Sequence, residues 1–356
     1  MMNQSKLRPF RVAIAWKWLP FYAASSIGAL PKQDPRYQLK LYGTRSARPF
    51  NNLEEVAGRS IHWLPENREL DWGDFAEDPP DLLILSGWKE KSFLSLAKAI
   101  KRHSGKCVVM VDNRWRGDWR QRLGVVYYRL YLSRLFDGAW VPGESGKRFL
   151  KSLGVKDDRL WEGLYGADPT RFLPTSTLRE RPKRFLYVGA FLKRKGIELF
   201  LEAWPIFYKQ FPDWELELVG NNEPDLRLRE LDGVVLNGFV QPERLPGRLQ
   251  NARCLLLPSF DENWGVVVHE AICCGCGVIV SSAVGSAADL VGEYNGRIFK
   301  SASSGDLLKK MVDFASLQPD ELDKVYDENL QVREKFGPKR WAQEFLNIIE
   351  TFSNGR

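Results

Sequence analysis

Short apolar runs alternate along the chain with longer segments in which apolar residues recur every three or four positions. A short apolar run bounded by turn-forming residues is typical of a buried strand, and the longer spacing is typical of a helix that packs on a sheet. Candidate strands are RVAIAW, DLLILSGW, CVVMVDN and GAWVPG in the N-terminal half, and RFLYVGA, WELELVG, GVVLNGF, RCLLLPS and GVIVSS in the C-terminal half. Strands that alternate with helices predict parallel sheets, so we expect two doubly wound α/β units.

The length of the chain agrees with two domains. A chain of 356 residues, 44% of them hydrophobic, exceeds the size at which a single core usually stops growing. The segment ADPTRFLPTSTLRERPK breaks the apolar rhythm, so we predict domains at residues 1–170 and 171–336. Residues 337–356 then form a separate amphipathic helix, whose apolar face carries Trp341, Phe345, Ile348, Ile349 and Phe352.

Two acids, Glu262 and Glu270, stand eight positions apart in the segment PSFDENWGVVVHEAICCGCGVIVSS. We expect a helix from about Gly265 to Cys274, so the loop before it would lie in the ligand crevice of a parallel sheet, with free helix amides that suit a phosphate. Glu262 could simply favour the helix dipole, whereas Glu270 lies among valines and needs a partner. Each carboxylate could instead accept two hydrogen bonds from a vicinal diol, and spacing alone leaves both interpretations open.

The segment ENWGVVVHEAICCGCGVIVSSAVGSAADLV resembles the E-x7-E segment of retaining GT-B glycosyltransferases, in particular glycosyltransferase family 4. FLYVGAFLKRKGIELFLEAW and YGADPTRFLP are also similar to segments of this family, and the likeness covers roughly residues 140–300. The resemblance implies a GT-B fold, in which two Rossmann-like doubly wound domains face a central cleft. The N-terminal domain would bind the acceptor and the C-terminal domain the nucleotide sugar. The final helix would either be an ordinary cap or cross back onto the N-terminal domain.

The resemblance also implies roles for the acids and the nearby cations. Glu270 would hold the ribose of a nucleotide-diphosphate sugar, and Glu262, with the backbone around Trp264, would orient the transferred sugar. Lys195 would neutralise the departing diphosphate, so no metal and no other cofactor is expected. We take Glu262 and Lys195 as catalytic. The remaining residues assigned to the donor site are Glu270, Gly189, Lys193, Arg194, Asn263, Trp264, Gly265, Phe239 and Val240.

Two positions depart from the family pattern. The family commonly has an Arg after the glycine that corresponds to Gly189, and this chain has Ala190 there. Lys193 or Arg194 could reach the same phosphates, although a lysine is a point charge where Arg bonds bidentately. The change predicts weaker or altered donor binding. The GGxxE element of the family reads GSAAD here, which leaves the role of that element open.

A second group of candidate residues follows the strand VVMVDN in the first domain. In many family members a His lies here beside the transferred sugar, and Asp112 stands at about that place. Asp112 could hydrogen-bond a sugar hydroxyl or take the proton of the acceptor, and a simple Asx turn is the alternative. We assign Asp112 to catalysis and Trp88, Asn113 and Trp115 to the acceptor side, where the Trp rings offer apolar faces.

The cysteines and the N-terminus bear on the location of the protein. Four of the five cysteines lie near the donor segment, and His269 is close by, but CCxC lacks a second ligand pair. We therefore expect no metal site, and reduced thiols in a cytoplasmic protein. Lys17 and Pro20 interrupt the apolar start of the chain, so we interpret it as a strand and a ligand loop, with no cleaved signal and no membrane span.

The net charge of +7 is not spread evenly. Residues 89–159 contain 17 Lys and Arg against seven Asp and Glu, and RWRGDWRQRLGVVYYRLYLSRLF interleaves Arg with Trp, Tyr and Leu at helical spacing. A helix of this kind could lie on an anionic membrane. Alternatively, its apolar face is core and its arginines are merely solvated. Nucleic-acid binding is a third interpretation, for which the chain has no recognisable binding module.

The sequence and the resemblance together predict a metal-independent glycosyltransferase of the hexosyltransferase type, and the resemblance implies that it retains the anomeric configuration. It would move a sugar from a nucleotide sugar to a glycan or lipid-linked acceptor in cell-surface polysaccharide or glycolipid assembly, in the cytoplasm or on the inner face of the membrane. Two other classes remain open. A nucleotide-sugar epimerase or a phosphorylase on the same fold would need a diol-binding acid but no second sugar acceptor. A non-catalytic nucleotide-sugar binding protein would tolerate Ala190.

Overall fold

The computed structural model of the protein describes residues 8–44, 50, 52–65, 68–222 and 225–354. The chain divides into two compact units: unit 1 comprises Met1–Tyr165 and Pro338–Arg356, and unit 2 comprises Gly166–Gly337. The backbone therefore passes from one unit to the other at residues 165–166 and again at 337–338.

Unit 1 contains, in its described residues, a parallel sheet of seven strands in the order β3-β2-β1-β4-β5-β6-β7. The strands are β1 Phe10–Trp16, β2 Tyr37–Thr44, β3 His62–Leu64, β4 Leu82–Leu85, β5 Lys106–Met110, β6 Gly138–Trp140 and β7 Leu160–Trp161. The helices before the crossing to unit 2 are α1 Phe21–Gly28, α2 Leu53–Ala57, α3 Lys91–Arg102, α4 Trp119–Leu130 and α5 Glu144–Leu153.

Unit 2 has a parallel sheet of six strands within the part of the chain that the structure describes, in the order β10-β9-β8-β11-β12-β13. The strands are β8 Arg184–Val188, β9 Glu215–Val219, β10 Val234–Asn237, β11 Cys254–Leu257, β12 Gly277–Ser281 and β13 Gly296–Phe299. The helices are α6 Leu199–Gln210, α7 Leu245–Gln250, α8 Val266–Cys273, α9 Ala287–Leu290, α10 Ser304–Ala315 and α11 Pro319–Val332.

The central strands are apolar on both faces because both faces of each parallel sheet are covered. In β1, Val12 and Ile14 belong to one buried cluster of unit 1, whereas Ala13 and Ala15 belong to the cluster on the other face. This alternation explains why the sequence reads as a continuous apolar run. The two parallel sheets confirm the predicted pair of doubly wound α/β units.

The last helix, α12 Pro338–Ser353, belongs to unit 1. Its Trp341 ring lies 4.7 Å from that of Trp140 on β6, and its Phe345 ring lies 5.3 Å from that of Tyr37 on β2, measured between ring centroids. The apolar face of this helix is therefore core. None of the helices in the described residues is long and apolar enough to cross a membrane.

Strand order reverses at one place in each sheet, between β1 and β4 in unit 1 and between β8 and β11 in unit 2. Connections leave these neighbouring strands in opposite directions, which opens a crevice at their carboxyl ends. The loops at these two switch points carry most of the candidate residues.

Candidate functional site

Lys195 and Glu262 form an ion pair at the carboxyl edge of the unit 2 sheet. Lys195 ends a short 3-10 turn after β8, and Glu262 follows β11, the neighbouring strand at the switch point. Their side chains are only 13% and 14% exposed, respectively. In such a partly dry setting the attraction is stronger than in water, and either charge would be costly to leave alone.

Hydrogen bonds fix the loops that carry this ion pair. The Phe260 amide donates to the Arg194 carbonyl at 2.8 Å and joins the two loops, and the Glu262 amide donates at 3.2 Å to the Ala283 carbonyl in the loop after β12. The Ser259 hydroxyl donates to the Glu262 carboxylate at 3.3 Å. Gly196 has a φ of +67°, and a Cβ there would run into the Pro258 carbonyl, so glycine is required where the loops touch.

The loop at Gly189 and Ala190 rests on Tyr187. The Tyr187 hydroxyl donates to the Ala190 carbonyl at 2.9 Å, and a Cβ on Gly189 would lie 2.8 Å from the same hydroxyl. Burial raises the pKa of Tyr187, and the charge of Glu262 adds to the rise, so the hydroxyl stays protonated. Further along this loop the side chains of Lys193 and Arg194 are exposed, as a role in binding an anion would require.

Helix α8 begins beside the ion pair with an uncapped N-terminus. Its N-cap residue Gly265 has a φ of +85°, no side chain caps the helix, and no acid lies in the first turn. The ring of Trp264 is 2% exposed and meets Phe336 edge-on at 5.2 Å between centroids. Trp264 can therefore face a ligand only through its backbone, and the first helix amides are open to an anion.

Glu270 lies further along α8 in a partly exposed position. Burial raises its pKa to about 7, and the charge of Arg171 opposes the rise. Among the described residues no group donates a hydrogen bond to its carboxylate. The side chain thus lacks the partner that the sequence led us to expect. Arg171 was not predicted, although it stands in the segment YGADPTRFLP.

His269, next to Glu270, is held on both ring nitrogens. The Ala167 amide donates to Nδ1 at 2.9 Å, so Nε2 carries the proton and donates to the Arg333 carbonyl at 3.0 Å. Burial lowers the pKa of His269 to about 4. The ring is therefore neutral and fastens α8 to chain segments near both ends of unit 2. In the described residues, no group of three or more His, Cys, Asp or Glu side chains could hold a metal ion.

The remaining residues assigned to the donor site lie at the same sheet edge, some of them near the Lys195–Glu262 pair and others farther away. Asn263 is in the loop between Glu262 and α8. Phe239 and Val240 follow β10, which β9 separates from β8, and Phe239 is 46% exposed. The structure thus joins Lys195 to Glu262 directly and leaves Phe239 and Val240 two strands away.

In unit 1, Trp88, Asp112 and Asn113 line a common cavity of about 200 Å³ at the carboxyl edge of the sheet. Trp115 is not among the lining residues, and its ring packs against Phe149 at 6.4 Å between centroids. The sequence therefore indicated three residues that share a cavity and one that lies beside it.

Asp112 is engaged by a tyrosine that the sequence did not indicate. The Tyr165 hydroxyl is hydrogen-bonded to Asp112 and to Tyr22, and the rings of the two tyrosines meet edge-on at 5.0 Å. Burial raises the pKa of Tyr165, and the neighbouring Tyr22 and Asp112 side chains add to the rise. Tyr165 therefore remains a hydrogen-bond donor to the carboxylate.

A larger cavity of about 460 Å³ adjoins the first and shares Lys17, Trp18 and Glu90 with it. Lys17 and Glu90 form an ion pair of 2.5 Å across the unit 1 switch point. Trp18 is exposed and has a φ of +55°, which is unusual for a bulky residue and is typical of functional loops. The sequence placed a ligand loop here but gave Lys17 no role.

The paired doubly wound sheets define the class of fold, which is GT-B. The Anabaena protein HepE, solved in complex with UDP-glucose, is similar over 96% of this chain and 99% of its own chain, with a TM-score of 0.74 and 15% identity. At this identity the likeness shows the fold. The predicted GT-B fold class is confirmed.

Within this fold, residues 170–332 match the family described as glycosyl transferases group 1, and all of these residues lie in unit 2. An uncharacterized glycosyltransferase of Haemophilus influenzae is 23% identical over 189 residues, which are 51% of this chain and 54% of that protein. The N,N'-diacetylbacillosaminyl-diphospho-undecaprenol alpha-1,3-N-acetylgalactosaminyltransferase of Campylobacter jejuni is 24% identical over 184 residues, 47% of this chain and 48% of that protein. The chain spans about half the length of these curated relatives. Its homologues are glycosyltransferases, which confirms the resemblance at that level.

Proposed function

We propose that the protein transfers a sugar from a nucleotide-diphosphate sugar to a glycan or lipid-linked acceptor, with retained anomeric configuration and without a metal. One observation carries the proposal: the desolvated Lys195–Glu262 pair lies at the switch point of unit 2 beside the uncapped start of α8. A diphosphate needs cations and free amides, and a sugar needs a carboxylate. The complex of the structurally similar HepE with UDP-glucose supports this kind of donor.

Unit 2 would bind the donor. Lys195 would turn from Glu262 to the departing diphosphate. Because Ala190 stands where the family commonly has an Arg, the α8 amides and the exposed Lys193 and Arg194 would help to neutralise the remaining phosphate charge. Glu262, released from Lys195, would orient the transferred hexose. Stabilising charge that builds up on the leaving group is usually the largest electrostatic contribution to such a reaction.

Glu270 would bind the ribose of the donor. Its carboxylate is partly buried and accepts no hydrogen bond from the described residues, whereas a vicinal diol offers two donors. Asn263, Gly265 and Gly189 would contribute backbone contacts, and Phe239 and Val240 would line the outer part of the site.

Unit 1 would bind the acceptor in the cavity lined by Trp88, Asp112 and Asn113, with Trp115 at its side. Asp112 would orient the acceptor hydroxyl or accept its proton, and Tyr165 would hold the carboxylate in place. The Campylobacter relative is named for a diphospho-undecaprenol acceptor, which supports a lipid-linked acceptor here. The protein would then work in the cytoplasm, on the inner face of the membrane, in polysaccharide or glycolipid assembly.

A panel of nucleotide sugars tests the proposal, with release of nucleoside diphosphate as the readout and with glycan and lipid-linked acceptors added in turn. Release that requires both a donor and an acceptor supports a transferase. Binding without turnover indicates a nucleotide-sugar binding protein, and turnover that needs no acceptor indicates an epimerase or a related activity. Either of these results would overturn the proposal.

The ribose assignment has a separate test. Glu270→Ala should abolish donor binding in calorimetry, and Glu202→Ala, which removes an exposed acid from α6 of the same unit, should leave it unchanged. Unaltered affinity in Glu270→Ala would refute the role of Glu270.

A further inference from the structure

Helix α4 in unit 1 turns its apolar residues to solvent. Six large apolar or aromatic side chains of the helix and its C-terminal end are between 50% and 65% exposed: Trp119, Leu123, Val126, Tyr127, Leu130 and Tyr131. Tyr128 is the buried residue of this helix. The interpretation that the apolar face of this segment is core is therefore wrong, because the core contact is made from the opposite side.

The exposed residues form one stripe. At 100° per residue, Trp119, Leu123, Val126 and Leu130 fall within about 60° of one another around the helix, and Tyr128 falls on the opposite side. Tyr127 and Tyr131 widen the stripe along one edge, and their rings lie 5.5 Å apart. A continuous exposed patch of this kind usually marks an interaction surface.

Arginines border the stripe on both sides. Arg120 follows one edge, Arg122 and Arg129 follow the other, and Arg134 lies just beyond the helix, all of them exposed. None of these four has an ion-pair partner among the described acids. The surface thus combines aromatic and aliphatic side chains with uncompensated positive charge.

We propose that this surface, the α4 face, docks unit 1 onto an anionic phospholipid bilayer. Tryptophan, tyrosine and leucine side chains suit the boundary between head groups and acyl chains, and flanking arginines can reach lipid phosphates while their stems stay in the apolar layer. The helix would lie in the plane of the bilayer surface. The inference rests on α4 alone and would stand if the transferase proposal failed.

Charge decides against a second copy of the chain as the occupant. A symmetric dimer through the α4 face would bring two rows of unpaired arginines together, and like charges across an interface oppose association. Residues 89–159, the segment that contains α4, have 17 Lys and Arg against seven Asp and Glu and therefore a net positive charge. An anionic bilayer supplies both the apolar layer and the opposite charge.

Vesicle co-sedimentation of the full chain tests the proposal. The protein should bind vesicles of equal parts phosphatidylcholine and phosphatidylglycerol, and bind pure phosphatidylcholine vesicles far more weakly, with an affinity that falls as salt is added. The double variant Leu123→Glu/Leu130→Glu should bind the anionic vesicles at least about tenfold more weakly. Its thermal unfolding should match that of the parent because both side chains are exposed in the folded state.

A matched double variant controls for added charge. Ile206→Glu/Leu330→Glu places the same two acids on exposed apolar positions of unit 2 and should leave vesicle binding within about twofold. Arg120→Gln/Arg122→Gln should weaken binding by about fivefold per arginine and reduce the salt dependence.

Three results would overturn the proposal: equal binding of neutral and anionic vesicles, equal losses in the two Glu double variants, or no vesicle binding by the parent. Concentration-dependent dimers that Leu123→Glu/Leu130→Glu abolishes would assign the α4 face to a second copy instead.

Discussion

Each of the two sheets has a Lys–Glu ion pair across its switch point. In unit 1, Lys17 follows β1 and Glu90 follows β4; in unit 2, Lys195 follows β8 and Glu262 follows β11. These strands correspond, because both sheets are ordered with the third, second, first and fourth strands of the unit side by side. The same topology therefore brings a cation and an anion together twice.

The two pairs differ in exposure and in their surroundings. The Lys17 and Glu90 side chains are 35% and 31% exposed, against 13% and 14% for Lys195 and Glu262. A partly exposed ion pair of this kind stabilises the folded protein by roughly 0–1 kcal/mol. A desolvated charge, in contrast, interacts strongly with any ligand that replaces its partner. Aromatic side chains surround the first pair, and an uncapped helix accompanies the second. Topology thus sets where the charges stand, and burial and neighbours decide what they can do.

Replacing the lysine of each pair by methionine should give the largest difference in activity between the two units. Lys195→Met removes a cation from the proposed leaving-group site and leaves Glu262 unpaired, so kcat/KM should fall by about 10²–10³-fold. Lys17→Met should lower it by less than about tenfold, because its partner stays partly solvated. Release of nucleoside diphosphate at saturating acceptor measures both effects.

Unfolding of each lysine variant by urea serves as the control for stability. Equal losses of activity in the two variants would remove the functional distinction between the pairs. A larger loss for Lys17→Met would place the diphosphate in unit 1.

Changes in pH test the surroundings of the unit 2 pair next, because adjacent residues of α8 respond in opposite directions. Burial lowers the pKa of His269 to about 4, so between pH 6.5 and 4 the unfolded chain binds more protons and stability falls as the pH falls. Burial raises the pKa of Glu270 to about 7, so between pH 4.5 and 7 the folded chain binds more protons and stability falls as the pH rises. The two effects oppose each other in the parent protein.

Single variants should reveal each effect. Between pH 7.5 and 5, Glu270→Gln should lose about 2 kcal/mol of stability through His269, whereas in the parent the rise in stability from Glu270 roughly offsets that fall. His269→Gln should be less stable at pH 7.5, where it loses two buried hydrogen bonds, and should recover relative to the parent at pH 5. Urea unfolding across this range measures both profiles. Parallel profiles for all three proteins would show that neither group titrates in the way that its burial indicates.

The sequence predicted the parts of the site that follow from local order. The strand before Pro258, the helix from about Gly265 and the loop with Glu262 between them were predicted correctly, because apolar runs and glycine breaks are local signals. The pairing of Lys195 with Glu262 was not predicted as a contact, since the two residues are 67 positions apart and meet only through the order of the strands.

The sequence also could not predict which way a helix faces or which distant side chains meet in the folded chain. The periodicity of α4 showed a stripe of apolar residues but not which side of the helix would pack on the sheet. In the structure Tyr128 makes that contact, and the partly buried Val125 packs against the same core. Similarly, Asp112 was indicated by its place after a strand, whereas Tyr165, 53 positions later, reaches it only in the folded unit.

Two tyrosines near the sheet edges test the comparison through the smallest of the expected effects. The Tyr165 hydroxyl is hydrogen-bonded to Asp112 in unit 1, and the Tyr187 hydroxyl donates to the Ala190 carbonyl in unit 2. Tyr165→Phe should lower kcat by about two- to tenfold, the value of one hydrogen bond, with an unchanged KM for the donor. Protonation of Asp112 becomes easier without that bond, so the acid limb of the rate profile should move to higher pH.

Tyr187→Phe removes the same atom from the other unit and serves as the matched control. It should loosen the loop at Ala190 and raise the KM for the donor by about two- to tenfold. The acid limb of the rate profile should stay in place. If the two variants change the same parameter, the assignment of the acceptor to unit 1 and of the donor to unit 2 is wrong. If Tyr165→Phe lowers kcat without moving the acid limb, Tyr165 only supports the fold around Asp112.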